Sequence, residues 1–218
     1  MKKNLLCFLL ILLSAGLNAQ IRGLIDLSLY RNTEFKGNTY FQGGLGIEVR
    51  AFKFLKPEFT TTYYYGSLED YNKPDAAGNI ISTSQLSAGA LNFGFTPKIC
   101  LSCGEYSAGD ALLQILPIYN ISRIEAQENY TLINQNNPSL SKTEKKIVTE
   151  WQQSIGIGIG VDIILSDNNY DSLAVNLYYT GVNMGKALTE ADRTQTRYDS
   201  RTLGFGMNYY LGFKKKKD

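Results

Sequence analysis

Apolar and polar residues alternate along several stretches of this chain, most clearly at residues 154–163, SIGIGIGVDI. One face of this segment carries Ile155, Ile157, Ile159, Val161 and Ile163. The other face carries Ser154, Gly156, Gly158, Gly160 and Asp162. The same alternation recurs at residues 21–30, 39–51 and 202–213. A period of two is that of a β-strand whose two faces meet different surroundings.

Eight segments of this kind cover the chain, and none shows the 3.6-residue period of a helix. We predict strands near residues 21–31, 39–52, 55–66, 84–98, 111–126, 148–164, 172–182 and 198–213. The alternation changes phase partway through 84–98 and 111–126, which leaves the registers of these two strands open. The polar segments 67–79 and 128–146 are predicted to be solvated loops. Long connections after the third, fifth and seventh strands, with short ones after the second and sixth, are typical of outer-membrane barrels, whereas the longer connection at 99–110 departs from this pattern.

The alternation alone fits a membrane barrel with its apolar face outward or a soluble, lipocalin-like barrel with that face inward. Glycine is frequent on the less apolar face, where it would weaken a solvated wall but would make room inside a narrow lumen for large neighbours such as Tyr30. The same face carries charges of both signs, and buried charges require partners. We therefore place a polar cluster inside an eight-stranded antiparallel up-and-down transmembrane β-barrel: Arg22, Asp26, Glu48, Arg50 and Asp162.

Aromatic residues divide between the two ends of the predicted strands, as expected of girdles at both membrane interfaces. If the first strand runs outward, one group lies near the outer rim: Tyr30, Tyr40, Tyr63, Tyr64, Tyr65, Trp151, Tyr178, Tyr179 and Tyr198. The second group lies near the inner rim: Phe52, Phe59, Phe95, Tyr209 and Phe213.

The first nineteen residues are predicted to be a secretory signal peptide. Lys2 and Lys3 precede the apolar run from Leu5 to Leu13, and small residues lead to a cleavage site after Ala19. The signal contains two of the 22 basic residues and none of the 20 acidic ones, so the mature chain carries 20 of each. This balance gives no argument for binding nucleic acid. We divide the chain into a signal peptide (1–19), a barrel (20–213) and a basic tail (214–218).

The signal peptide, the eight alternating strands and the last strand, LGFGMNYYLGF, resemble those of small outer-membrane β-barrel proteins of the Bacteroidetes type. The architecture is similar to that of the OmpA membrane domain and OmpX. The resemblance implies location in the outer membrane of a Gram-negative bacterium, contact with outer-membrane lipid, and recognition of the final strand by the barrel-assembly machinery. Tyr209, Leu211 and Phe213 match that assembly signal, whereas the tail from Lys214 to Asp218 departs from it.

The chain contains no histidine, which removes the commonest proton shuttle and every serine–histidine arrangement. A hydrolase based on paired carboxylates remains formally open, but Asp26, Glu48 and Asp162 lie among arginines, and structural ion pairing explains them better. The glycines of GIGIGIG do not have the spacing of a nucleotide loop, and no helix follows them. We expect no enzymatic activity, no metal and no cofactor.

Cys100 and Cys103 form a C-x-x-C pair, and Lys214 to Lys217 form a basic run. The cysteines fit a local disulfide in a turn, free thiols, or a metal or redox site, and the disulfide is favoured in an oxidising compartment. The lysines are compatible with a solvated tail, or with a tail that contacts lipid phosphates or anionic polymers.

Three functions remain compatible with these features. The chain is a structural or interaction protein that binds an extracellular or envelope partner through its outer loops, an accessory subunit of a secretion or uptake complex, or a soluble barrel with a small apolar ligand. The sequence favours the first.

Overall fold

The computed structural model describes residues 20–32, 39–50, 52–68, 70–101, 107–167, 171–179, 181–194, 197–198 and 201–212. The strands are β1 (Gln20–Asn32), β2 (Thr39–Arg50), β3 (Leu55–Ser67), β4 (Tyr71–Pro74), β5 (Ile80–Cys100), β6 (Ala111–Leu132), β7 (Lys142–Ile164), β8 (Ser172–Tyr179) and β9 (Thr202–Gly212). A helix, α1 (Gly185–Ala191), follows β8, and a 3-10 turn (Pro138–Leu140) precedes β7. The predicted signal peptide, Phe213 and the basic tail lie outside the described residues.

Eight of these strands close into a ring of antiparallel pairs. The order is β1-β2-β3-β5-β6-β7-β8-β9, β9 pairs back with β1, and β4 is attached to β5 alone. The chain is therefore an eight-stranded antiparallel up-and-down β-barrel, as the alternation predicts. None of the helical segments in the described part of the chain is long and apolar enough to cross a membrane.

Even-numbered residues face the lumen along all eight barrel strands. The two strands whose phase the sequence leaves open follow the same rule, because Leu86, Ala88 and Ala126 are apolar yet face inward and are buried. The registers of β5 and β6 are fixed by pairs such as Gly89 with Glu125. The change of phase in the sequence thus reflects an apolar portion of the lumen and not a bulge.

The barrel has two unlike rims. The terminal rim, where β1 begins and β9 ends, carries the connections at 51–54, 101–110 and 165–171. At the opposite, distal rim, β5, β6 and β7 extend far beyond the other strands, and β6 and β7 remain paired as far as Leu132 and Lys142. The prediction of a loop over 128–146 is therefore wrong at both ends of that segment, since only residues 133–141 connect the two strands.

Candidate functional site

The outer wall of the barrel is apolar. Odd-numbered residues of the barrel strands form a belt whose side chains are exposed, Ile155 to 76% and Leu45 to 66%. The belt, which we call the exterior belt, includes Ile21, Ile25, Leu27, Leu29, Phe41, Leu45, Ile47, Phe59, Leu91, Phe93, Phe95, Leu113, Ile121, Ile155, Ile157, Ile159, Val161, Leu177, Leu203, Phe205, Met207 and Leu211. Such a continuous apolar surface is far larger than the scattered patches of soluble monomers.

The lumen near the terminal rim holds a network of buried charges, the charged cluster. Arg22, at 0% exposure, donates from Nε to Glu48 Oε1 (2.8 Å) and from Nη2 to Asp162 Oδ2 (3.2 Å). The same guanidinium donates from Nη1 to Ser172 Oγ (2.6 Å). The structure therefore brings together three of the five residues that the sequence assigns to a lumen cluster.

Three further charged residues belong to this cluster and are missing from the sequence prediction. Lys98 forms an ion pair with Glu48 and lies 3.6 Å from Glu58, and Lys56 is buried nearby on β3. The ring of Tyr210 is covered by Arg22 (4.4 Å to the centroid) and Lys98 (3.9 Å), and its hydroxyl donates to Glu58 (2.9 Å). The signal for Lys56, Glu58 and Lys98 is their even numbering, which they share with Arg22 and Glu48.

Asp26 lies nearer the middle of the barrel than this network, and Arg50 lies at the terminal rim. Asp26 is buried nearer the middle of the barrel, where its carboxylate accepts from Ser28 Oγ (2.8 Å) and Gln42 Nε2 (2.5 Å). Asn208, with its amide nitrogen turned toward Asp26, donates a third hydrogen bond (3.0 Å). Arg50 is half-buried at the end of β2 on the terminal rim. The predicted lumen residues thus divide among three locations.

A small polar cavity of about 40 Å³ lies beside Asp26 and Glu58. Asn92, Asn120 and Thr96 also line it. Pockets that bind organic ligands usually measure roughly 300–1,000 Å³. The lumen therefore has no space for a substrate at this level.

Four tyrosines fill the distal half of the lumen and form the tyrosine layer: Tyr30, Tyr40, Tyr64 and Tyr178. The ring of Tyr30 lies 5.1 Å from that of Tyr64 and 5.9 Å from that of Tyr178, and Tyr40 stacks on Tyr64 at 5.4 Å. The prediction that Tyr40, Tyr64 and Tyr178 belong to an outer aromatic girdle is wrong, because their even numbering directs them inward. Tyr30 lies in the lumen, as the alternation of β1 predicts, and not in the girdle. Tyr63, Tyr65, Trp151 and Tyr179 do face outward and are exposed.

Helix α1 closes the distal mouth above the tyrosine layer. Its buried residues Ala187, Leu188 and Ala191, with Val182 and Met184 before it, pack into the same apolar cluster as the tyrosines. This segment connects β8 with β9, and its apolar face is buried only because it packs inside the barrel. The lumen is therefore blocked at three levels, by charges, by aromatic rings and by a helix.

Ion pairs hold this connection against the projecting strands. Lys186 Nζ donates to Glu150 Oε1 (2.6 Å), while Arg193 pairs with Glu144 (2.5 Å) and Glu128 (3.4 Å). The hydrogen bond to Glu150 raises the pKa of Lys186. The contribution of Lys186 is thus fully present below the ordinary lysine pKa and is lost only as the pH rises through the raised value. At neutral pH both basic residues remain charged.

The remaining predicted residues that the structure describes lie toward the terminal rim. Cys100 is buried at the end of β5, and Cys103 lies outside the described residues, so their disulfide stays a prediction. Tyr209 and Leu211 face outward on β9, and Phe213 lies just beyond the described part of that strand. Phe52, Phe59 and Phe95 are exposed, and the rings of Phe59 and Phe95 are 5.0 Å apart.

No protein-family model matches the chain, and no curated protein matches it significantly. Several solved structures are similar to it, including these three. The N-terminal β-barrel domain of Pseudomonas aeruginosa OprF is 12% identical over 90% of this chain and 100% of that chain, with a TM-score of 0.35. Ail, the attachment invasion locus protein of Yersinia pestis, is 9% identical over 89% of this chain and 97% of that chain, with a TM-score of 0.39. Acinetobacter baumannii CarO is 10% identical over 89% of this chain and 98% of that chain, with a TM-score of 0.44. Similarity at this level transfers no function, and the barrel is defined by its own strand pairing.

Proposed function

We propose that this chain is a non-enzymatic outer-membrane β-barrel protein of a Gram-negative bacterium, which crosses the membrane without forming an open channel and presents an interaction surface at its distal rim. The observation that carries the proposal is the exterior belt, with Ile157 and Ile159 more than half exposed while Arg22 and Asp162 are buried. Exposing so much apolar surface to water would be costly, whereas a bilayer accommodates it.

The distribution of polarity is the reverse of that in a soluble ligand-binding barrel. In such a barrel the lumen is apolar and the outer wall is solvated. Here the terminal half of the lumen holds paired charges, and its distal half is filled by tyrosines and α1. The distal strands, which lie beyond the exterior belt and carry polar residues on both faces, are left as the surface for interaction. The resemblance to the Bacteroidetes-type family, which rests on sequence patterns, agrees with this assignment.

The first prediction concerns membrane insertion. The mature protein should remain with outer membranes after carbonate extraction, and it should migrate faster on a gel when it has not been heated. A closed barrel resists unfolding in detergent, so heating should convert the fast form to the slow one. Recovery of the protein in a soluble periplasmic fraction would contradict the proposal.

Single cysteines test the orientation of the strand faces. In a background without Cys100 and Cys103, Ile157→Cys and Ile159→Cys should place labels that are quenched by probes carried on lipid. Ala174→Cys, on the neighbouring strand, is the matched control because Ala174 faces the lumen with 0% exposure. A label at 174 should escape lipid quenching. The opposite pattern would show that the apolar face is inside.

A further inference from the structure

A groove of about 410 Å³ crosses the outer face of β3, β5 and β6 at the distal edge of the exterior belt. Its floor is Gly89, which pairs with Tyr65 on one side and Glu125 on the other. The missing side chain leaves a gap between these two residues. The hydroxyl of Tyr63 reaches over the gap and lies 2.8 Å from the position that a Cβ on Gly89 would take. Further lining residues include Ser67, Gln85, Ser87, Arg123, Gln127 and Asn129.

The lining combines aromatic rings with many hydrogen-bonding groups. Tyr63 and Tyr65 are 57% and 53% exposed, so their rings are available for contact. Hydroxyl and amide side chains supply both donors and acceptors. Arg123 and Glu125 add one charge of each sign, and neither forms an ion pair among the described residues. A sugar ring, with its apolar C–H face and its rim of hydroxyls, matches this combination better than an apolar ligand or a cluster of phosphates.

The position of the groove indicates where such a sugar comes from. One row of paired outward residues crosses four strands, from Tyr63 to Leu91, Arg123 and Trp151. On the terminal side of this row lie Phe93 and Ile121 of the exterior belt. On the distal side the outward residues of β5 and β6 that line the groove are mostly polar, while Ile147 of β7 is an exposed apolar residue. The groove opens sideways from the wall at this boundary. A lipid whose acyl chains lie against the belt holds its head group at the same height.

We propose that this wall groove binds the sugar head group of a glycolipid in the outer leaflet of the surrounding membrane. The proposal rests on the proposed function, because it requires the exterior belt to be embedded in lipid. The rings of Tyr63 and Tyr65 contact the C–H face of a sugar, the amides bind its hydroxyls, and Arg123 binds a hydroxyl or an attached phosphate. The lipid chains continue along the belt past Leu91.

Trp151, the one tryptophan of the chain, pairs directly with Arg123 and reports on the groove. The experiment places the full mature protein in vesicles of phosphatidylethanolamine and titrates lipopolysaccharide while Trp151 emission is recorded. We expect a saturable spectral shift. The Tyr65→Ser, Arg123→Gln double variant should weaken the apparent affinity by about tenfold or more, because a ring contact and a charged hydrogen bond are both lost.

The matched control is the Tyr179→Ser, Arg31→Gln double variant, which removes an outward tyrosine and an outward arginine from the distal ends of β8 and β1, away from the groove. It should bind as the original protein does. An equal response to phosphatidylglycerol, equal binding of the sugar chain freed of its acyl chains, or equal loss in both double variants would overturn the proposal.

Heat-dependent migration of every variant separates this proposal from the proposed function. A protein that fails to insert into vesicles contradicts the membrane assignment itself. A protein that inserts, shows the gel shift and yet does not distinguish lipopolysaccharide from phosphatidylglycerol contradicts the groove proposal alone.

Discussion

Glycine and tyrosine occupy neighbouring positions inside the barrel as complementary small and large residues. Tyr178 pairs with Gly158 on β7 and with Gly204 on β9, and its ring extends over both strands. A Cβ on Gly158 would lie 2.7 Å from Tyr178 Cδ1 and 3.1 Å from the carbonyl oxygen of Leu177. Because Tyr178 also stacks on Tyr30, it cannot move aside without disturbing the tyrosine layer.

Replacing Gly158 with alanine should therefore destabilise the barrel by about 1–3 kcal/mol, the usual cost of overpacking a filled interior. Gly43→Ala is the control, because Gly43 faces outward and its added Cβ would meet Phe41 at an ordinary 3.5 Å. The control should change stability by less than about 0.5 kcal/mol. Urea unfolding in lipid vesicles measures both values, and equal stability of the two variants would show that the tyrosine layer is loosely packed.

At the residue scale, the period of two predicts correctly which residues of β1, β2 and β7 face inward. Arg22, Glu48 and Asp162 meet in the charged cluster for this reason. Lys98 escapes prediction because Leu86 and Ala88, on the same strand, are inward and apolar, which makes the alternation of β5 look broken. An apolar inward residue cannot be distinguished from an outward one by hydropathy alone.

The strands that project at the distal rim show why the loop over 128–146 is predicted wrongly. Thr131, Thr143 and Lys145 lie on one face of these strands and Glu144 lies on the other, so both faces are polar and no hydropathy pattern marks them as β-structure. Their order comes from cross-strand pairing, for example the hydroxyls of Thr131 and Thr143 at 3.0 Å. Hydropathy patterns reveal a strand when one of its faces is buried, and the projecting parts of these strands have little buried surface on either face.

Helix α1 is also invisible to sequence patterns, for a different reason. Its seven residues form two turns, too few to establish a helical period. Its folding depends on the lumen, where Leu188 and Ala191 pack among the tyrosines. The number of strands could be predicted from the sequence, whereas the closure of the distal mouth could not.

The apolar face of α1 should hold the mouth closed more strongly than its ion pairs do. Lys186 is 60% exposed and Arg193 is 38% exposed, and ion pairs of such exposed side chains are screened by water and contribute little to stability. In an Ala187→Cys background, Leu188→Ala should therefore speed thiol labelling more than the Lys186→Gln, Arg193→Gln double variant does. Lys73→Gln, an exposed lysine of β4, is the control and should leave the labelling rate unchanged. Faster labelling in the double variant than in Leu188→Ala would show that the ion pairs, and not the apolar face, hold the mouth closed.

For the molecule as a whole, the balance of lumen charge supports the proposal that the barrel forms no open channel. In the charged cluster, Arg22, Lys56 and Lys98 face inward opposite Glu48, Glu58 and Asp162. These three charges of each sign lie in a narrow space, where buried charges pair with one another and not with passing ions.

Purified protein in planar bilayers should accordingly give no stable conductance of the size seen with wide porins. Single-channel recording measures this directly, with a conducting porin in the same bilayer as the positive control. Reproducible large channels would contradict the blocked lumen, and their loss on cross-linking α1 to the wall would show that α1 is a gate.

The strand registers also determine how steeply the strands tilt relative to the barrel axis. A path perpendicular to the strands, starting at Tyr178, crosses Gly204, Tyr30, Tyr40, Gly66, Ala88 and Ala126 and reaches β7 at Val148. Tyr178 itself pairs with Gly158, so the circuit closes with an offset of ten residues (158 − 148). With a rise of about 3.3 Å per residue and strands about 4.8 Å apart, eight strands with this offset tilt by about 40°.

A strand at this tilt crosses a hydrocarbon layer of about 30 Å in about twelve residues. β5, β6 and β7 contain 21, 22 and 23 residues, so about ten residues of each lie outside that layer. Measured along the membrane normal, ten such residues rise about 25 Å. In the bilayer that we propose for it, the barrel is a short ring from which β5, β6 and β7 project on one side by nearly the thickness of the apolar layer. The ends of these strands would then meet their surroundings well away from the lipid.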